Sequence, residues 1–544
     1  ILSGFFLSYF LYLKYKGDMI MKLKNINLEI VVISVLIVSA IAVSLIIAPM
    51  KSLEVIDSIY ALVSKLFGTP LLWFSLAATV LCFYFAFSRM GKVRLGDEKP
   101  DFSLFSYIGM MICAGLASAS VYFSFIEWIF FYSGPALGIE AGSAESVEYA
   151  PAYSFTYWGL ISWPPFALAA LPMAVSYYKR KNSGLRFSIV CEDLFGLKEN
   201  SVIGKIIDIL FVITTLGGLS VTLGLGAPLI ASMFSYITGV PDGFTLQVII
   251  IIIIAMIFSL SSYVGLEKGM KRISDTNIYI AIAFVVFILI AGPTFFILKY
   301  ITNGFGIAVQ NYLQIILWTD PVNNSGFSET WVIFYICFAV AYAPLMSLFI
   351  TKISRGRSVK EMILSTVLGG SLGCVVLFGI DGGFGIEGQI TGKGDYVALY
   401  NNEGVGSTII AMISQIPIPV VISCIVFTVM LILFLATSLD SASFSLAAVA
   451  TKKIGAEDSP NSMFRLFWCI LLALIPIGLM YAGAPLSAIQ TVCITTAIPF
   501  AAVTIIFVFK GKKWLKEEVV KLERNEEERV FAEIFERMKS EKKE

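Results

Sequence analysis

Apolar residues fall along the chain in long runs separated by short polar stretches. From Leu28 onward twelve runs are long enough for membrane helices, at roughly 29–49, 67–88, 104–132, 153–178, 203–237, 244–264, 276–299, 329–351, 361–380, 418–449, 463–482 and 487–509. A helix needs about 20 such residues to cross the hydrocarbon core. The stretches between them alternate in charge. One set carries Arg89, Lys92, Arg94 and Lys99, then Lys179, Arg180, Lys181 and Arg186, then Lys268, Lys271 and Arg272, and later Lys352, Arg355, Arg357, Lys360, Lys452, Lys453 and Arg465. The other carries only Lys51, Lys65, Lys299 and Lys393. The positive-inside rule places the basic set in the cytoplasm, and with twelve spans both termini follow it there.

Composition supports an all-α polytopic protein of a cell membrane. Hydrophobic residues make up 58% and charged residues 14% of 544 positions, where a soluble domain carries roughly a quarter charged. The net charge of +1 argues neither for nor against a charged partner; the bilayer is the expected one, and no nucleic acid is expected. Histidine is absent, which removes imidazole metal ligands, histidine triads and histidine proton relays. Cys82, Cys113, Cys337, Cys374, Cys424, Cys469 and Cys493 lie inside apolar runs with no CxxC pair, as small core residues do. No enzyme active site is visible and no organic cofactor is implied. Residues 1–27 read as an N-terminal segment with a non-native start, Met19 and Met21 being the plausible natural ones.

Several runs are not plain apolar cylinders. The third holds Cys113-Ala-Gly115-Leu-Ala117-Ser-Ala119-Ser120 ahead of Glu127; the fifth holds Thr214, Thr215, Gly217, Gly218, Ser220, Thr222, Gly224 and Gly226; the tenth ends in Phe434-Leu-Ala-Thr437-Ser438-Leu-Asp440-Ser441. Small residues permit close helix packing. Hydroxyls and a carboxylate at membrane depth also need partners, and backbone unwinds there only where it lines protein or water. The third and eighth runs each precede four more, the arrangement of two five-helix units with an interrupted first helix. In the eighth run Trp331, Tyr335, Phe338 and Tyr342 are spaced four, three and four apart, one stripe on a helix. Such a stripe serves packing or lipid contact, or offers π faces to a cation.

Five ordered segments resemble the betaine/choline/carnitine transporter family: Gly91-Lys-Val-Arg-Leu-Gly96, Thr222-Leu-Gly-Leu-Gly226, Gly265-Leu-Glu-Lys-Gly-Met-Lys-Arg-Ile-Ser-Asp-Thr-Asn277, Ile353-Ser-Arg-Gly-Arg357, and Thr437-Ser438 with Asp440-Ser441. The resemblance covers Leu28 to Lys510. It implies a LeuT-type fold of two inverted five-helix repeats, spans 3–7 (residues 101–300) and 8–12 (301–509), preceded by two extra helices and a cytoplasmic link (28–100), assembled as a homotrimer.

The resemblance also implies an aromatic box for a quaternary ammonium group between the fourth and eighth spans. Trp158 and Trp163 stand where the family has tryptophans, Phe166 where it usually has tyrosine, and Trp331 matches the first tryptophan of the eighth span. The later tryptophan positions hold Ile336, Phe338, Ala339 and Tyr342, so two lose their ring and two keep a smaller one with a weaker quadrupole. The implied sodium site takes main-chain oxygens of Cys113, Leu116 and Phe434 with the hydroxyls of Thr437 and Ser438, hard ligands for a hard cation. In the family's second sodium site Thr215 fits but Leu219 and Leu345 replace the other two ligands, so that site is expected to be lost. Glu127, Asp208 and Asp440 are the acidic residues nearest the interior, read as helix contacts with a proton relay as the alternative.

The tail, 510–544, alternates in charge and carries Val530, Phe531, Ile534, Phe535 and Met538 at helical spacing. Such tails in the family meet the membrane surface or neighbouring subunits and tune activity under osmotic stress. The implied function is secondary active import of a small ammonium compound or zwitterion, glycine betaine first among them, driven by Na+ through alternating access. The alternatives are a less methylated amine or amino acid, a proton-coupled or exchanging member, and a transport-dead osmotic sensor.

Overall fold

The computed structural model describes residues 25–115, 118–182, 186–198, 201–263, 267–452 and 460–541. Its regular elements are helices. Two come first, α1 (Leu28–Ile47) and α2 (Pro49–Phe87). α2 begins well before the apolar run at 67–88, because its first turns mix Lys51, Glu54 and Asp57 with helix-forming apolar residues. The third run carries α3 (Leu104–Gly115) and α4 (Ser118–Ser133), residues 116–117 lying outside the described ones. The fourth comprises α5 (Ala144–Thr156), a π turn Tyr157–Ile161 and α6 (Trp163–Tyr178). Short α7 (Phe187–Phe195) leads into α8 (Val202–Thr238), α9 (Phe244–Tyr263) and α10 (Glu267–Ala291). After α11 (Thr294–Gln310) and α12 (Tyr312–Leu317), a π turn Ser328–Val332 opens α13 (Ile333–Ile353). α14 (Val359–Leu364) and a further π turn precede α15 (Gly370–Ile390). The chain closes with α16 (Tyr396–Glu403), α17 (Val405–Ile413), α18 (Val420–Val449), α19 (Ser462–Tyr481) and α20 (Leu486–Glu541).

Among the described residues nine helical stretches are long and apolar enough to cross a membrane, ten if α10 and α11 count as one bent span. Outside that number lie the run at 104–132, which includes two residues that are not described, and the apolar helix Phe244–Ile257. Three boundaries differ from the sequence-based expectation. The seventh run does not continue to 299: α10 stops at Ala291 and α11 leaves at 109°. Pro293 has no N–H for the Leu289 carbonyl, which instead accepts from the Thr294 hydroxyl at 2.6 Å. The eighth run is not interrupted, since α13 passes through Pro344 as one helix. Third, the charged tail is not a separate helix but the far end of α20, which has no breaker after Pro499.

Two of the segments singled out in the sequence, 91–96 and 353–357, pack together at one end of the helices. Residues 93–95 pair with 356–359 as a short antiparallel bridge (Leu95 N to Arg357 O 2.8 Å, Val359 N to Val93 O 2.9 Å). Gly356, at φ +70°, is required there: a Cβ would sit 2.4 Å from the Glu98 carbonyl oxygen. The Arg357 guanidinium donates to the Phe102 carbonyl and lies 4.8 Å from the Tyr107 ring centre. Tyr107 is bonded to Ser354 at 2.6 Å, and Tyr178 donates to the Thr351 carbonyl at 2.9 Å. On the same side Lys179 hydrogen-bonds Asp97 at 3.0 Å and holds its carboxyl below the usual range; that pair is exposed and contributes little to stability. These contacts fix the inner ends of α3, α6 and α13 against one another.

Candidate substrate-binding site

A buried cavity lies where α3, α6, α13 and α15 meet, lined by Gly115, Ser120, Trp158, Ser162, Trp163, Phe166, Phe338, Ala339, Tyr342, Met346 and Cys374. Five of the six residues predicted to bind substrate, Trp158, Trp163, Phe166, Phe338 and Tyr342, are therefore brought around one space. Trp331 is not among them. Its ring stacks on Phe130 (centroids 4.7 Å) and meets Phe131 edge-on, about two turns from the chamber. A four-three-four spacing places residues on one stripe but does not say where along the helix the cavity ends. The cavity volume is about 20 Å³, room for about one water, so the aromatic rings are collapsed on one another.

The rings owe their places to local irregularity. Trp158 and Trp163 are five apart, which on a regular α-helix puts them far round from each other. The π turn Tyr157–Ile161 lets five residues cover the arc that four cover in an α-helix, and so turns both indoles toward one side. Pro164 follows the turn and offers no N–H to the Leu160 carbonyl; that carbonyl accepts from Thr79 at 2.9 Å and from Tyr312 at 3.4 Å instead. Trp163 slots between two glycines. A Cβ on Gly115 or on Gly370 would lie 2.1 Å from its ring atoms. Its Nε1–H points to Cys374 Sγ at 3.5 Å. Across the chamber Phe338 packs on Trp158 (5.8 Å, 77°) and on Tyr342 (4.9 Å), and the Tyr342 hydroxyl is bonded to Thr222 of α8.

A family model for "BCCT, betaine/carnitine/choline family transporter" matches residues 29–520. The chain belongs to this family. The carnitine transporter of Acinetobacter baumannii is 35% identical over 459 residues, 84% of this chain and 83% of that protein. The glycine betaine transporter OpuD of Bacillus subtilis is 31% identical over 484 residues, 87% of this chain and 91% of that one. A solved Na+-coupled sialic acid symporter covers 81% of this chain and 87% of its own with 13% identity and a TM-score of 0.38; a superposition that loose bears on neither fold nor ion. As a betaine/carnitine/choline family transporter, the protein is a multi-pass membrane carrier and not an enzyme.

For the sodium ligands implied by that family, Leu116 lies outside the described residues, as does the side chain of Cys113, whose main chain is in α3. Thr437 and Ser438 are half-buried on α18. The Thr437 hydroxyl donates back to the Leu433 and Phe434 carbonyls, both at 3.0 Å, leaving its oxygen lone pairs for another ligand. Phe434 is buried one turn before it. In its hydrogen-bonding orientation the Asn277 amide reaches the same place, donating to the Met430 carbonyl (3.1 Å) and accepting from the Phe434 N–H (3.3 Å). At the positions of the second family site Leu219 is buried and brings no oxygen, whereas the Thr215 hydroxyl is buried without a hydrogen-bond partner.

The three acidic residues separate into two kinds. Asp208 pairs with Arg186, and Asp440 with Arg465. Glu127, fully buried on α4, accepts from the Trp158 Nε1–H at 3.0 Å and from the hydroxyls of Tyr335 and Ser154. Glu127, expected from the sequence to make helix contacts, does so, and its partners include the indole of Trp158, a connection the sequence did not reveal. The four residues lie on three runs, and only the fold brings them together. Asp381 was missed altogether. It is buried on α15 and accepts from Ser124 at 2.7 Å; its surroundings of Gly379, Gly382, Gly383 and Gly385 gave it the look of a packing segment. Cys374, Met346, Ser120 and Ser162 of the lining carried no signal beyond their place in apolar runs.

Proposed function

We propose that the protein imports a small quaternary ammonium zwitterion, glycine betaine first, coupled to sodium, through alternating access. The observation that carries this reading is the convergence of Trp158, Trp163, Phe166, Phe338 and Tyr342 on one buried chamber. Five rings around a dry space bind a cation that cannot shed charge and needs no hydrogen bond. The names of the relatives, a carnitine transporter and a glycine betaine transporter, support the same class. We read twelve spans, with spans 3–7 and 8–12 as inverted repeats and both termini in the cytoplasm; the alternation of basic and non-basic stretches between the apolar runs supports the span count and the orientation. A homotrimer belongs to the same proposal. Coupling uses one sodium ion, held by Thr437, Ser438 and main chain near Cys113, Leu116 and Phe434. Apolar Leu219 and Leu345 cannot replace the hydration shell of a second.

Ala339 in the lining, where the family has tryptophan, favours a second reading in which a less methylated amine is carried. Titration of purified protein with glycine betaine and with dimethylglycine separates the two. On the first reading betaine binds more tightly and Trp158→Ala or Trp163→Ala weakens it by about 1–2 kcal/mol, the scale of a desolvated cation–π contact. Binding unchanged in both variants would remove the box from the site.

A further inference from the structure

Glu127 stands apart from the other buried carboxylates singled out in the sequence. Asp208 and Asp440 each face an arginine, but among the described residues no arginine or lysine pairs with Glu127. Its partners are neutral: the indole N–H of Trp158 on Oε1 at 3.0 Å, the Tyr335 hydroxyl on the same oxygen, and the Ser154 hydroxyl on Oε2. Three donors surround it, the set that a carboxylate, which only accepts, satisfies. Glu127 does not line the chamber, whereas Trp158 does. Tyr335 in turn packs edge-on against Trp158 at 5.4 Å, and Phe378 covers the indole at 4.9 Å, so the ring that carries the N–H is held on several sides.

We propose that Glu127 is a positioning residue for substrate charge: from behind the chamber wall it orients the Trp158 indole and, through the N–H it accepts, makes the π face of that ring more attractive to a cation. The inference rests on the reading of the chamber as an ammonium site. A carboxylate without a cationic partner in a low-dielectric interior projects its field further than one in water, and the indole it bonds, Trp158, lines the chamber. A substrate ammonium group in the chamber supplies, at a distance, the positive charge that Asp208 and Asp440 already have in direct contact. The arrangement also accounts for how a box with two fewer rings than the family pattern selects for charge. The carboxylate lies behind Trp158, out of reach of the substrate, so the ammonium group gains attraction without a direct ion pair that would slow its release.

The test uses two ligands of one shape: glycine betaine, and 3,3-dimethylbutanoate, in which a neutral carbon replaces the quaternary nitrogen. Binding of both is measured on the purified full chain and on Glu127→Gln, which keeps the side-chain size and removes the charge. The wild type is expected to prefer betaine. Glu127→Gln is expected to lose about tenfold in betaine affinity with the affinity for 3,3-dimethylbutanoate unchanged within about twofold, and Glu127→Asp to keep the preference. An equal loss for both ligands, or an unchanged preference, overturns the proposal and leaves Glu127 a tie between helices. If Glu127→Gln does not fold, Trp158→Phe keeps a ring but removes the N–H; a betaine preference as large as that of the wild type in that protein overturns the proposal too. A wild type that binds neither ligand overturns the ammonium reading itself, and this inference with it.

Discussion

Trp163 occupies its position because two of its neighbours have no side chain. Gly115 comes from α3 and Gly370 from the start of α15, and a methyl group on either would meet the indole at 2.1 Å. Overpacking of this kind costs about 1–3 kcal/mol when the core cannot shift. Gly370→Ala is therefore expected to lower the melting temperature in detergent and to push the Trp163 ring into the chamber, with a loss of substrate affinity. Gly109→Ala on the same α3 is the control, because nothing lies within 4 Å of its Cβ; it is expected to leave both quantities unchanged. At this scale the sequence was informative about which rings matter and silent about what holds them. Trp158, Trp163, Phe166, Phe338 and Tyr342 were legible because aromatic spacing survives in a linear string. The glycines that make room for Trp163 looked like any small residues in a membrane helix, and the hydroxyls that reach Glu127 come from separate runs.

At the level of elements, the π turn at Tyr157–Ile161 and the proline after it set the chamber wall. The Leu160 carbonyl loses its helical partner to Pro164 and takes hydrogen bonds from α2 (Thr79) and α12 (Tyr312). A buried carbonyl left unpaired costs about 1–3 kcal/mol. Thr79→Val leaves only the 3.4 Å bond from Tyr312 and is expected to destabilise the protein by about 1 kcal/mol; joined with Tyr312→Phe, the loss in thermal unfolding should exceed the sum of the two single losses, since only then does the carbonyl lack a partner. Additive losses would mean that this carbonyl is not what ties α2 to the wall. Helix existence was readable from hydropathy along nearly the whole chain, whereas the irregular joints were not. The bend at Gly292–Pro293 carried a readable signal in its Gly-Pro pair, which an apolar run of the right length masked. The π turns have no comparable signature, because π and α turns use the same residue types.

On the scale of the whole molecule, the inner ends of α3, α6 and α13 are tied by the bridge between residues 93–95 and 356–359, by Arg357 on Tyr107 and by Tyr178 on the Thr351 carbonyl. The chamber holds about 20 Å³, so on the proposed function α6 and α13 would have to move apart to admit substrate, with some of these ties opening. The account stands on what is carried and what drives it. Uptake into vesicles of labelled glycine betaine, choline, carnitine, dimethylglycine and glycine, with and without an inward sodium gradient, tests this most directly. Betaine is expected to accumulate fastest and only with sodium, and Thr437→Ala to need more sodium for the same rate. Uptake equally fast in potassium, unchanged in Thr437→Ala, or strongest for glycine would contradict it.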